Sequence, residues 1–327
     1  MIEKIRNFIN KRNVLILFLL LTMLFSVTVG DIFLSGINIH NVSRQISFDV
    51  PLALALTVVL IAGGIDLSVG SVLSMAAAIT MDLQPHGTYL AVLVALLFGA
   101  FIGLVNGLLV TKGKIVPFIA TLGTMTLVRG LMLTYTKQQP IAGIDKAFTF
   151  WGDGSIGFFP TPFILVIVIS ILLSIVLRYT QFGRNLYAVG GNKEAAFLAG
   201  IKVNQTKLFA FIISGVLSSI SGVLLASRLN SSTIHLGLDS VNLAIAAAIM
   251  GGASMTGGKG DVFGAFMGIL TLGILINGMN LLGVNTYYQI GIRALILIAV
   301  VVIDALSALR LKQKLEEQAY GETRNSG

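Results

Sequence analysis

Ten apolar runs decide what this chain can become: residues 14–29, 50–65, 67–83, 89–111, 115–136, 161–179, 208–227, 239–251, 262–282 and 287–306. The hydrocarbon core of a bilayer is about 30 Å thick, so a helix rising ~1.5 Å per residue needs roughly 20 apolar residues to cross it. Most of the runs meet that length. Hydrophobic residues make up 55% of the 327, charged ones only 11%, and mean hydropathy is +0.92. No ordinary soluble domain is so composed. The expectation is an all-α integral membrane protein with about ten transmembrane helices, some of them short or broken.

The basic residues orient it. Lys4, Arg6, Lys11 and Arg12 precede the first run, and no convincing small-x-small cleavage site follows it, so it is expected to stay as a span. With a cytoplasmic N-terminus, alternation places Lys112, Lys114, Arg178, Arg184, Lys193, Lys202, Lys207, Lys259, Arg310, Lys312, Lys314 and Arg324 inside as well, 16 of 22 Lys and Arg. Arg44, Lys137, Lys146 and Arg228 fall outside, and Arg129 and Arg293 lie in spans. The expected organisation is a cytoplasmic N-terminus at 1–13, a membrane domain at 14–306 and a cytoplasmic tail at 307–327, with both termini inside. The main external loop is 137–160, where Trp151, Phe158 and Phe159 mark the interface belt or help receive a soluble partner outside. A net charge of +8 is one that nucleic-acid binders also carry, but here the charges sit at span ends, so nucleic acid is not an expected partner. The chain has no cysteine, which removes disulfides and thiolate metal sites, and His40, His86 and His235 lack metal-ligand spacing.

Two stretches repeat one odd pattern. IAGGIDLSVGSV (61–72) and IMGGASMTGGKGDVFG (249–264) each join apolar runs through a double glycine and a polar break. The runs beside them are short, and weak self-similarity of this kind is how internal repeats show in transporters. Non-helical backbone at depth is tolerated where it is buried in protein or lines a wet cavity. Gly63, Gly64, Asp66, Ser68, Gly70, Gly251 and Gly252 are therefore candidate translocation-path residues. Asn106, Asn277 and Asn280 join them, because an amide offers donors and acceptors without charge and suits a neutral polyhydroxylated solute. The competing readings are close helix packing for the glycines and interhelical bonding, worth about 0.6 kcal/mol each, for the amides. Thr121, Thr124 and Thr126 dot the fifth run.

Residues 185–200, NLYAVGGNKEAAFLAG, form a polar island between long apolar runs. Asn192 is placed to cap a short helix, KEAAFLA, that Gly200 stops. Such a helix on the basic side is a handle for a soluble partner, within a coupling loop at 180–207; the alternative is a basic loop on lipid headgroups. Gly252–Gly257 imitates a phosphate-binding loop, but Gly258 stands where Lys belongs and Gly260 follows Lys259 in place of a hydroxyl. Any ATP and magnesium chemistry would then sit on another chain. No chain of intramembrane carboxylates suggests proton or sodium coupling.

Taken in order, GGIDLSVGSVLS (63–74), KIVPFIATLGTMTLVRG (114–130), PTPF (160–163), FGRNLYAVGGNKEAAFLAGIKVN (182–204), MGGASMTGGKGDVFG (250–264) and GMNLLGVNTYYQ (278–289) resemble the permease subunit of ribose-type monosaccharide ABC importers. The resemblance runs from about Pro51 to Asp304. It implies a multi-pass protein of the bacterial cell (inner) membrane, paired with a second permease copy, an ABC ATPase subunit that binds ATP and Mg, and an extracytoplasmic sugar-binding protein. The chain itself would hold no cofactor and no catalytic residue. Asn192, Lys193, Glu194, Ala195, Ala196 and Gly200 correspond to the ATPase-coupling helix. Asp239–Asn242 departs from the ribose pattern, which leaves open the sugar rather than the class. The rival class is a stand-alone secondary transporter or facilitator of small polar solutes.

Overall fold

The structure, a computed structural model, describes residues 2–237 and 239–325, with side chains from 14 to 306 except Leu238. Met1, Ser326 and Gly327, in the expected termini, and Leu238 lie outside the described residues. Fourteen helices are found among the described residues, and strands are limited to two-residue bridges.

The hydropathy pattern becomes helix almost run for run. Seven helical segments have the length and composition to cross a membrane. They are Val14–Ile32, mostly within α1 (Ile2–Val29); α5 (Thr88–Thr111); α6 (Pro117–Tyr135); α8 (Thr161–Tyr179); α11 (Val203–Leu229); α13 (Val262–Leu281); and Thr286–Leu306, the first half of α14 (Thr286–Asn325). Three shorter apolar helices, α3 (Val50–Ile61), α4 (Val69–Asp82) and α12 (Ser240–Met250), complete the ten. Proline opens α6 and falls in the first turns of α3 and α8, where a missing N–H costs nothing.

α3, apolar apart from Thr57, is buried at every residue and wedged among α11, α12 and α13. Beside it, α11 lies closely along α5. Gly99, Gly103 and Gly107 repeat every fourth residue and form a seam; a Cβ on Gly103 would overlap the Phe211 carbonyl, and one on Gly215 the Gly99 carbonyl. Small residues let backbones approach where lipid offers no hydrophobic drive. At the periphery, α1 and the apolar half of α14 keep their faces outward, with Leu19, Met23, Leu295 and Ile303 exposed, as lipid-facing helices do.

Connections gather at two opposite ends. At one end Arg44 pairs with Asp153 at 2.8 Å, the Arg228 guanidinium lies 5.2 Å from the Phe48 ring centre, and Ile141–Ala142 bridges Ser231–Ser232. The 137–160 loop is thus stitched down rather than free. It contains the four-residue helix α7 (Phe150–Asp153), whose Gly152 sits on the backbone of Leu224 and Arg228. Trp151, Phe158 and Phe159 stay exposed here. At the other end lie the α5–α6 turn, residues 180–207 and residues 251–261, where Asp304 of α14 accepts from Ser254.

Two further helices occupy stretches that look merely polar in sequence. α2 (Gly36–Ile46) buries Asn38, Val42 and Ile46 and meets α3 at 44°. α9 (Gln181–Gly191) buries Gly183, Leu186 and Val189, one face of an amphipathic helix. The tail expected at 307–327 continues α14 as one helix to Asn325.

Candidate functional site: the coupling end and the two broken helices

α10 (Lys193–Leu198) follows α9 with Asn192 between them. The Asn192 side chain accepts from the Glu194 and Ala195 amides at 3.0 and 2.9 Å, satisfying donors that a helix start leaves free. The helix closes at Gly200, where Gly200 N–H donates to Phe197 and Ile201 N–H to Ala196. Ala196 is buried with Val189 and Val203, so it seats the helix on the body. Lys193, Glu194 and Ala195 are exposed, and Phe197 and Leu198 project outward at 70% and 84% exposure. Sequence reasoning passed over these two. Their signal was a pair of large apolar residues closing an otherwise polar six-residue helix.

A cleft of about 1070 Å³ runs beside α10, bounded by Gly63, Lys114, Val116, Lys193, Phe197 and Lys207. It brings the first break and the short helix to one place.

The double glycines have a shared local cause. α3 ends with Gly63 N–H donating to Leu60 and Gly64 N–H to Val59; α12 ends with Gly252 N–H donating to Ile249 and Ala253 N–H to Ala248. Gly63 and Gly252 hold φ of 73° and 97°, a region that costs other residues about 1 kcal/mol or more. Both broken helices stop by the same turn. Gly251 meets the backbone of Gly264 in α13, closing the α12–α13 hairpin.

Beyond the first glycine turn, Asp66 organises a buried polar network. It is 1% exposed and accepts from the Ser68 amide at 3.0 Å, the Ser68 hydroxyl at 2.6 Å and the Ser214 hydroxyl at 2.8 Å. The Asn106 amide donates to Ser68 Oγ at 2.8 Å, and the Thr124 hydroxyl donates to Asn106 Oδ1 at 2.7 Å. One chain of bonds therefore joins the break to α11, α5 and α6. Networks that are fully satisfied in low dielectric fix a conformation strongly. Ser214 was not singled out in sequence, since it is one of five serines in the run 208–227 and nothing local marks which of them faces Asp66.

The other candidates are dispersed. Gly70 packs on Gly237 and Val241. Asn277 exchanges two amide bonds with Asn38, at 2.9 and 2.8 Å, tying α13 to α2. Asn280, exposed, accepts from Gln289 at 2.7 Å. Arg129 donates to the Ile234 carbonyl.

Residues 38–301 match the family described as branched-chain amino acid transport system / permease component. The chain belongs to this permease family. It is 40% identical over 276 residues to the ribose import permease protein of Bacillus subtilis, covering 83% of this chain and 86% of that one. It is 38% identical over 307 residues to the ribose import permease protein of Haemophilus influenzae, covering 92% and 95%. It is also similar to the D-allose transport system permease protein of Escherichia coli, 35% identical over 290 residues and covering 88% and 89%. No solved structure matches it. As a permease, this chain is a multi-pass membrane protein of an ABC sugar importer.

Proposed function

We propose that this permease carries a ribose-type monosaccharide across the cell membrane for an importer whose ATPase and extracytoplasmic sugar-binding protein are separate chains, and that it works paired with a second permease copy. ATP and Mg bind the partner ATPase. The α10 end, with both termini, faces the cytoplasm, and the 137–160 loop faces out. The observation that carries this reading is α10 itself: a capped, seated helix that leaves Phe197 and Leu198 in solvent at the basic end of the molecule. A burial of two such side chains, worth about 1.5–3 kcal/mol each, suits docking into a groove on a soluble partner. Although the family's description mentions branched-chain amino acids, the relatives named above are ribose and D-allose permeases by name. Sugar selection belongs mainly to the external protein, because a deep well inside the permease would slow release.

The test is co-purification. The tagged chain, extracted in mild detergent, should bring an ATPase subunit with it, and Phe197→Ser with Leu198→Ser should lose that subunit while eluting as a folded permease. An unchanged yield of ATPase in the double variant would remove α10 as the docking element.

A further inference from the structure

We infer that Gly190, in the last turn of α9, is the joint through which movement of α10 reaches both broken helices at once. This rests on the reading that α10 docks an ATPase. Three stretches of backbone meet at Gly190 with no side chain between them. A Cβ added there would overlap the Ile61 carbonyl oxygen at the end of α3 and lie 2.5 Å from the Gly258 nitrogen in the second break. Gly63 and Gly257 stand on the same spot, for a Cβ on Gly257 would lie 2.6 Å from the Gly190 carbonyl oxygen and 2.9 Å from the Gly63 Cα.

The two breaks are also bonded directly. Ile61, whose carbonyl a helix end would leave unpaired, accepts from the Gly258 amide at 2.9 Å. The second break is held to the coupling end by the Tyr187 hydroxyl, which donates to the Gly260 carbonyl at 2.9 Å, and by the Arg178–Asp261 ion pair at 3.1 Å. From the joint to α10 there is a single intervening stretch, Gly191 and the cap Asn192.

The mechanical consequence follows from what is missing. A contact between side chains absorbs a shift of a few tenths of an ångström by rotamer adjustment, whereas close-packed backbone transmits it. A push on α10 tilts α9 about its buried face, and Gly190 carries that tilt to the end of α3 and the 257–260 loop together. Beyond α3 lies Asp66, bonded to Ser68 and to Ser214 of α11 and linked through Ser68 and Asn106 to α5 and α6, so the displacement enters the polar network that fixes the first break.

Adjacent glycines provide the test. Nothing lies within 4 Å of a Cβ on Gly191. In proteoliposomes holding the permease with its co-purified ATPase and the sugar-binding protein, Gly190→Ala should keep the ATPase bound and its basal hydrolysis intact. Ribose uptake should fall tenfold or more, and sugar-loaded binding protein should no longer stimulate hydrolysis. Gly191→Ala should match the parent. Normal uptake by Gly190→Ala would overturn the assignment. Should Gly190→Ala fail to fold, Tyr187→Phe decides: a several-fold drop in sugar moved per ATP supports the joint, and an unchanged ratio overturns it. Failure of the parent chain to retain any ATPase would instead sink the docking reading, and the joint with it.

Discussion

The hydroxyl of Ser214 is the one donor to Asp66 Oδ2 among the described residues, and its helix offers a matched control one turn away. Ser218 is equally buried, but its hydroxyl donates to the Ser214 carbonyl within the same helix. Removing the first leaves a buried carboxyl oxygen unpaired, which costs about 1–3 kcal/mol; removing the second returns a carbonyl that already sits in the helix ladder. Ser214→Ala should therefore lower the melting temperature in detergent clearly more than Ser218→Ala. Equal losses would mean that Asp66 does not depend on this bond. The contrast also marks what single residues disclose in sequence. Asp66, Ser68 and Asn106 stood out because polar groups are rare in apolar runs, and they do share one network. Ser214 and Thr124, which complete it, could not be matched to Asp66 without knowing which helices touch.

Between elements, the Asn38–Asn277 amide pair is the clearest polar clasp, joining α2 to α13. Asn38→Leu or Asn277→Leu alone strands the other buried amide at about 1–3 kcal/mol, while the double variant strands neither amide and removes only the donor that Asn38 also offers the Phe33 carbonyl at 2.8 Å. A double-mutant cycle should show the paired substitution costing well below the sum of the singles. Additive losses would show that the amides do not act as a pair. Legibility at this scale divides along hydropathy. The ten apolar helices stood in the sequence because lipid demands length and continuity, and their ends were marked by glycine, proline and charge. α2 and α9 were not legible, since an amphipathic helix of eleven residues in a polar stretch presents only three or four core positions. The Asn192 cap and Gly200 stop were legible because both are local; the seating of Ala196 on Val189 and Val203 was not.

At the scale of the molecule, the connections sort into two ends, and the basic residues collect at the α10 end. In this cysteine-free chain, Lys193→Cys and Asp153→Cys, introduced singly, report on those ends without background. An impermeant thiol reagent added to intact cells or spheroplasts should label Asp153→Cys, and should reach Lys193→Cys only after the membrane is opened. Labelling of both from outside would break the proposed orientation. The central claim is that this chain moves a sugar only when a partner ATPase drives it through α10. Its most direct measurement is uptake of labelled ribose by proteoliposomes containing the permease and its co-purified ATPase, with the sugar-binding protein outside and ATP enclosed. The account predicts accumulation against a gradient that requires ATP, the binding protein and an intact α10 tip. Equilibration of ribose by the permease alone, indifferent to ATP, would contradict it and make the chain a facilitator.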